Sequence, residues 1–507
     1  MDPQATRREW VGLAVIALPC MLYSMDLTLL NFAVPRLSAD LRPSSSQLLW
    51  IVDIYGFTLA GSLITMGTLG DRIGRRRLLL IGAAAFGVAS ILAALSTSAE
   101  MLIATRALLG VAGATLAPST LSLIRSMFRD PKQRTMAIGV WVSSYSIGGA
   151  IGPLLGGVLL EHFWWGSVFL VGVPVMVLLL IVGPILLPEF RDDRAGRLDP
   201  ISALLSLGGV LAVIFGLKRI AEAGLAWLPA ASIVAGLAVG AAFVRRQRQL
   251  ADPLIDLRLF RAPAFSASLA SYMLGTFVGF GAFVFVAQYL QLVVGLSPLE
   301  AGLWTLPWPL AFVAGSIVTP MIARRVRAAF VVGAGLIITA LGFGLLTRVE
   351  GPSGIVFVVM GSAVMSLGLA PVFILATDLI VGAAPPERAG AASAISETSS
   401  EFGGALGIAV LGSIGTAVYR SQIANTLPIG VPSDAATIAR DTLGGAVAIA
   451  GRLPDQVGAQ LLHTARAAFV QSFEVAAGIS AVIALATAIV AMVLLRHVRP
   501  AHPEELV

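Results

Sequence analysis

Charge is scarce in this chain. Charged side chains make up 12% of its 507 residues and hydrophobic ones 57%, whereas soluble domains carry roughly 25% charged residues. So little charge cannot cover a water-facing surface, and the composition implies a membrane protein with the lipid bilayer as its partner. Lysine is nearly absent: Lys132 and Lys218 are its two occurrences, and neither follows a glycine. No Walker-type phosphate loop exists, which argues against ATP hydrolysis by this chain. The single cysteine, Cys20, excludes an internal disulfide. His162, His463, His497 and His502 are scattered, so no metal constellation and no cofactor is expected. No nucleophile–base set stands out either, which argues against an enzyme. The net charge of +6 does not point to nucleic acid, because the basic residues sit between apolar runs and not on one face.

The apolar runs that separate them are long. A spanning helix needs about 20 mostly apolar residues, and fourteen segments qualify: 9–33, 47–69, 78–96, 101–124, 136–159, 166–187, 200–219, 226–244, 264–291, 300–322, 328–347, 355–380, 391–418 and 468–495. The first follows Arg7-Arg8 but contains Asp26 and lacks a small-residue cleavage site, so an uncleaved helix is expected. Arg72/75/76/77, Arg125/129/134 with Lys132, Arg245/246/248 and Arg324/325/327 all fall in alternate loops. By the positive-inside rule those loops and both termini are cytoplasmic, in a multi-pass protein of the cell membrane.

The chain also repeats. PKQRTMA leads into a helix with GGAIGPLLGG, and later PPERAGAA leads into one with GGALG; Gly67 ahead of Arg75-Arg76 has an echo in Gly315 ahead of Arg324-Arg325. The parse is an N-terminal six-helix bundle over 1–190, two inserted helices in 191–250 and a C-terminal six-helix bundle over 251–507. Such repeats place a binding site between the halves. Residues 419–467 form an extracytoplasmic loop with amphipathic stretches, read equally as a cover or as a passive extension.

Charges inside spans need a reason, since an acid or Arg near the bilayer centre costs about 2.5–3.5 kcal/mol on insertion scales. At about 1.5 Å per residue, Asp26 lies roughly 25 Å from the inner end of its span and Asp53 roughly 9 Å below the outer end of the next. Both could face one vestibule. Arg106 is a permanent cation able to hold a carboxylate ionised. Glu397 and Glu401, four apart, share a helix face, and Glu401 should reach mid-membrane. Asp378 reads equally as a site acid or one member of a charge pair. Tyr23, Phe57, Trp141, Tyr145, Phe283 and Trp308 are candidate aromatic faces for a lipophilic cation. Around the second span's inner end, Gly67, Gly74 and Asp71 allow close helix approach and an acceptor for a neighbouring helix N-terminus. Arg72, Arg75 and Arg76 are expected to pair across the half-interface as a conformational lock. Gly148, Gly152, Pro153, Gly156 and Gly157 thin and bend one helix face.

These motifs carry a resemblance. Residues 67–77, GTLGDRIGRRR, fit GxLaDrxGrkr, a signature of the major facilitator superfamily. MDLTLLNFAVP at 25–35 is similar to the lDxTivnvALP signature of its fourteen-helix drug–proton antiporters. Residues 148–157 match the antiporter motif gxxxGPxxGG. Leu102, Arg106, Gly110 and Gly113 fit lxxxRxxqGxgaa. WIVDIY at 50–55 looks like the second helix of the QacA, SmvA and LfrA group of multidrug exporters. The resemblance implies an all-α polytopic membrane protein of major facilitator fold, with 14 transmembrane helices as two six-helix bundles plus two inserted helices. It implies a monomer exporting lipophilic, cationic small molecules (quaternary ammonium compounds, dyes, antiseptics) in exchange for protons. The proton gradient is then the energy source, and acids on the thirteenth span take part in coupling and cation recognition. Phe312 or a neighbour stands where some relatives carry an acid, which argues against divalent cations. The alternatives are a major facilitator exporter of a lipid, siderophore or other endogenous metabolite, or a channel, which would not need paired halves with glycine hinges.

Overall fold

A computed structural model describes residues 5–41, 43, 45–191, 199–223, 226–250, 253–385, 388–428 and 430–496. Among these residues the regular structure is helical throughout. Thirteen helices are long and apolar enough to cross a membrane. Pro131–His162 is a further long helix, over the segment 136–159 that the sequence reads as a span. In chain order the long helices are α1 Arg7–Leu41, α2 Ser45–Ile73, α3 Arg75–Ala94, α4 Ala99–Met127, α5 Pro131–His162, α6 Ser167–Leu186 and α7 Pro200–Ala223. They continue as α8 Trp227–Gln247, α9 Pro263–Val293, α10 Glu300–Ala323, α11 Ala328–Leu346, α12 Ile355–Ala383, α13 Ala389–Thr426 and α14 Asp455–Leu494. Their ends carry local signals. Ser98 caps α4, Asp130 with Pro131 opens α5, and Ser297 forms a capping box with Glu300 ahead of α10.

Packing repeats with an offset of eight helices. In the first set α1 packs on α5, α2 on α4 and α3 on α6; in the second α9 packs on α13, α10 on α12 and α11 on α14. Glycines make the tightest of these crossings. A Cβ on Gly148 of α5 would stand 2.1 Å from the Met21 carbonyl of α1, and one on Gly407 of α13 would stand 2.1 Å from the Phe277 carbonyl of α9. The sets meet along two related seams, α2 with α13 and α10 with α5, which is the arrangement a pseudo-twofold axis generates.

The inserted pair breaks this symmetry. α8 packs on α7, and α7 lies against both α2 and α13, so it covers one seam. Leu207 and Leu211 seat at Gly61, while Val213 and Leu217 meet Ala409 and Leu406. At the hairpin's base Arg246 donates to Asp199 at 2.6 and 3.1 Å, Ser202 also donates to Asp199, and Gln247 bonds Ser202. The Arg246 bonds hold the Asp199 carboxyl well below the usual carboxylate range.

Residues between the last two long helices fold onto the second set. Ser433–Asp441 and Leu443–Ala450 are short helices, and α14 begins at Asp455, earlier than the span 468–495 read from hydropathy. Its polar first turns do not interrupt the helix because Leu443, Ala446 and Ala450 bury against Leu461, Ala465 and Phe469. Tyr419 of α13 donates to the Ala439 carbonyl at 2.8 Å.

Candidate functional site

Two polar levels join the halves. The first is at the arginine-rich end. Asp71, 5% exposed, accepts from the Gly390 and Ala391 amides at 3.1 and 3.0 Å, so a carboxylate of α2 caps the N-terminus of α13. The approach is possible because Gly67 has no side chain: a Cβ there would lie 2.5 Å from the Gly390 carbonyl. Gly74, at φ 110°, makes the turn from α2 into α3.

The arginines depart from expectation. Arg75 is bonded to Asp71 at 3.0 Å and to Ser122 and Ser126. Arg76 bonds the Pro184 and Leu187 carbonyls and lies 3.6 Å from Glu189. All of these partners belong to the first six-helix set, so these arginines orient and brace Asp71's end and the carboxylate makes the crossing. The reason is geometric: both arginines open α3, which packs on α4 and α6 of its own half. Arg72 is half-buried on the same turn.

The second seam at this end has no copy of Asp71. Four residues beyond Gly315 stands Thr319, which bonds the Gly315 carbonyl. Asp378 of α12 takes the place of the missing acid: it accepts from Arg134 Nε at 2.7 Å and Thr135 Oγ1 at 2.8 Å in the first turns of α5. Asp378 therefore joins the closed end and stands apart from the central acids.

The second level is deeper in the bundle. Arg106, 1% exposed, bonds Asp26 at 2.5 Å and the Ile51 carbonyl at 3.2 Å, with its guanidinium 4.7 Å above the Tyr55 ring. Tyr23 of α1 donates to Glu401 of α13 at 2.6 Å, across the halves. Tyr23 packs edge-on against Tyr145, which packs on Trp141; Trp141 donates to Thr120 at 2.9 Å. Glu397, buried, receives Tyr272 at 3.5 Å. Asp26, Arg106, Tyr23, Tyr145, Trp141, Glu397 and Glu401 thus form one connected group of acids and aromatics.

Asp53 sits elsewhere on α2. Two residues from Tyr55, it is turned about 200° around the helix and shares the stripe of Trp50 and Phe57, which meet edge-on, Phe57 also meeting Phe215 of α7 edge-on. The shared vestibule with Asp26 does not follow; Asp53's side is turned to the inserted helices, whose Arg219 lies 5.5 Å above Phe215. Phe283 and Trp308 pack edge-on at 5.7 Å in the second set, next to a small cavity lined by Val286, Leu290, Trp304 and Ser362. Phe312 is buried against Phe373. Gly148 and Gly152 are buried and Gly156 also lies inside α5, whereas the surroundings of Pro153 and Gly157 lie outside the described residues.

Tyr272 and Arg219 are absent from the sequence reading, which takes Tyr55 only as part of WIVDIY and Arg134 only as a marker of the cytoplasmic side. Polar groups in apolar runs, the signal used for Asp26, would have found Tyr272; the others lie near span ends or beside stronger motifs.

Two pseudo-equivalent six-helix sets, joined at one end and holding buried acids and aromatics between them, define a membrane transporter and not an enzyme. The chain belongs to the Major Facilitator Superfamily, whose family profile matches residues 16–408. It is 44% identical over 498 residues to the multidrug efflux pump LfrA of Mycolicibacterium smegmatis, covering 98% of each chain. It is 37% identical to the methyl viologen resistance protein SmvA of Salmonella typhimurium over 92% of this chain and 94% of that one. The tetracenomycin C resistance and export protein of Streptomyces glaucescens is 33% identical over 98% of this chain and 93% of that one. Among solved structures, the human organic anion transporter MFSD10 superposes with a TM-score of 0.62 at 15% identity, over 94% of this chain and 99% of that one. A bacterial homologue of the lysosomal transporter Spinster superposes with 0.58 at 18%, over 97% and 98%. The two structures bear on the fold alone.

Proposed function

We propose that this protein is a proton-coupled multidrug efflux antiporter that exports lipophilic, cationic compounds by alternating access. The observation that carries the reading is the buried group at the half-interface, where Glu401 of one half accepts from Tyr23 of the other, Tyr23 packs on Tyr145 and Tyr145 on Trp141, and Glu397 lies one turn back bonded to Tyr272. A carboxylate in an apolar, aromatic-lined site binds either a proton or an organic cation. Competition for that carboxylate exchanges one for the other. The Asp26–Arg106 pair supplies a second buried acid, held by the arginine in the described state. Relatives named for multidrug efflux, methyl viologen resistance and tetracenomycin C export support a drug exporter, and methyl viologen is itself an organic dication.

In this reading the arginine-rich end is cytoplasmic, as are both termini, since basic loops stay inside. The described state is closed there by two locks: Asp71 on the N-terminus of α13, and Asp378 on Arg134 and Thr135 of α5. Opening toward the cytoplasm breaks both. The proton gradient across the cell membrane drives the cycle, and a monomer contains the complete site. A second reading, export of a neutral endogenous metabolite, is favoured by the Streptomyces relative, whose name pairs resistance with export of an antibiotic.

Purified protein in vesicles tests the choice. Ethidium or a quaternary ammonium dye should move against an imposed pH gradient, and protons should move in the opposite sense. Transport indifferent to the gradient would remove proton coupling, and uptake of neutral compounds only would favour the second reading.

A further inference from the structure

Resting on that reading, we infer that Tyr23 is a positioning residue that transmits the occupancy of Glu401 to the Arg106–Asp26 pair in the other half. Of the hydrogen bonds described between the halves, those at the arginine-rich end use backbone groups, arginine or threonine; Tyr23 to Glu401 is the bond at the level of the buried acids. An ionised carboxylate only accepts, so the phenol is held as its donor. When Glu401 takes a proton or an organic cation, that charged acceptor is lost and the phenol is free to reorient.

The consequence reaches the first half through packed rings. The Tyr23 ring lies 6.4 Å from Tyr55 and 5.5 Å from Tyr145. Tyr55 carries the Arg106 guanidinium on its face, and Arg106 holds Asp26. The Tyr55 hydroxyl is buried and has no hydrogen-bond partner. An unsatisfied buried phenol costs free energy in this state, so a turn of Tyr23 that brings Tyr55 a partner is favoured. Such a turn disturbs the surface on which Arg106 rests. Around Glu401 the titratable groups are Tyr23 from α1, Tyr55 from α2 and Glu397 one turn back on α13, with Tyr272 of α9 directed at Glu397. The remaining helices against α13 bring Arg125 on α4, which reaches the Gly382 carbonyl, Arg219 on α7 over Phe215, Asp378 on α12, bonded to Arg134 and Thr135, and Glu474 on α14; the short helix Ser433–Asp441 adds Asp434 and Arg440.

The test uses full-length protein in vesicles, with ethidium as the probe and four variants: Tyr23→Phe, Tyr23→His, Glu401→Gln, and Tyr23→Phe with Glu401→Gln. Tyr23→Phe should keep the elution profile and melting temperature of the wild type, which report folding, while turnover driven by a pH gradient drops about tenfold and its pH profile flattens. Tyr23→His, which retains a donor, should recover part of the turnover. Tyr23→Phe should add nothing in the Glu401→Gln background. A Tyr23→Phe pH profile and turnover equal to wild type would overturn the inference, as would an undiminished loss on top of Glu401→Gln. Wild-type transport that ignores the gradient would instead remove proton exchange itself, and this inference with it.

Discussion

Replacing Asp71 by asparagine should release the closed end, and the size of the effect can be worked from the bonds it makes. Asp71 accepts two amide hydrogen bonds from the N-terminus of α13 in addition to Arg75. The Arg75 bond lies within one half and survives opening, so it does not discriminate between states. The two amide bonds exist only when the end is closed. Hydrogen bonds to a charged group contribute about 1.5–3 kcal/mol each, and a negative charge at a helix N-terminus adds about 0.3–1 kcal/mol. Asparagine keeps one acceptor oxygen and loses the charge, which removes roughly 2 kcal/mol of preference for the closed state and shifts the population about 30-fold. The assay is maleimide labelling of Ser316→Cys, a position on α10 that is 2% exposed and faces Gly139 across the other seam. The native Cys20 is buried and gives a low background. Labelling from the arginine-rich side should accelerate on the order of 10- to 30-fold in Asp71→Asn. An unchanged rate would refute the view that Asp71 holds the halves together.

At the other seam Asp378→Asn should accelerate the same labelling by only about fivefold, because its partners are side chains and a partly exposed pair is worth about 1 kcal/mol; exchanging Arg134→Asp with Asp378→Arg should restore the slow rate. Asp26→Asn strands Arg106 in the interior, and breaking a buried pair costs about 3–5 kcal/mol, so the yield of folded protein should fall; adding Arg106→Gln should recover yield but not transport. Gly148→Ala forces a methyl onto the Met21 carbonyl and should lower the melting temperature by the equivalent of about 1–3 kcal/mol, whereas Gly412→Ala, with open space around it, should be neutral or mildly stabilising. The Asp199–Arg246 clamp should hold throughout the assay range: a depressed carboxyl stabilises above its unfolded pKa near 4 and loses that contribution only as pH falls through the lower folded value. Limited proteolysis of the linker after α8 at pH 5 and pH 8 should therefore give the same rate.

Much of the site was legible because burying charge in a bilayer is expensive enough to be visible in one dimension. Asp26, Arg106 and Glu401 stand out in their spans and prove to be hydrogen-bonded members of one group. Asp71 stood out for its glycine neighbours, and the glycines are what let it reach α13. For Asp53 and Asp26 the sequence carries depth but not direction, since depth in the membrane follows from residue count and the facing direction depends on how α2 is rotated against α4 and α7. The partners of Arg75 and Arg76 are hidden for a related reason: a run such as Arg75-Arg76-Arg77 says which side of the membrane it occupies, not which carboxylate it meets.

The sequence by itself determined that the chain crosses a bilayer many times, that its basic loops share one side, and that it repeats around an inserted pair. Each of these depends on composition over windows of about 20 residues, which local hydropathy and charge express directly. Tertiary structure alone decided that α7 covers the seam between α2 and α13. It also decided that Asp378 supplies the acid missing from the second repeat, and that Tyr23 finds Glu401 across 378 residues of chain. Those pairings depend on helix rotation and crossing distance, set by the glycines and side chains of many helices at once, and no single stretch of sequence encodes them.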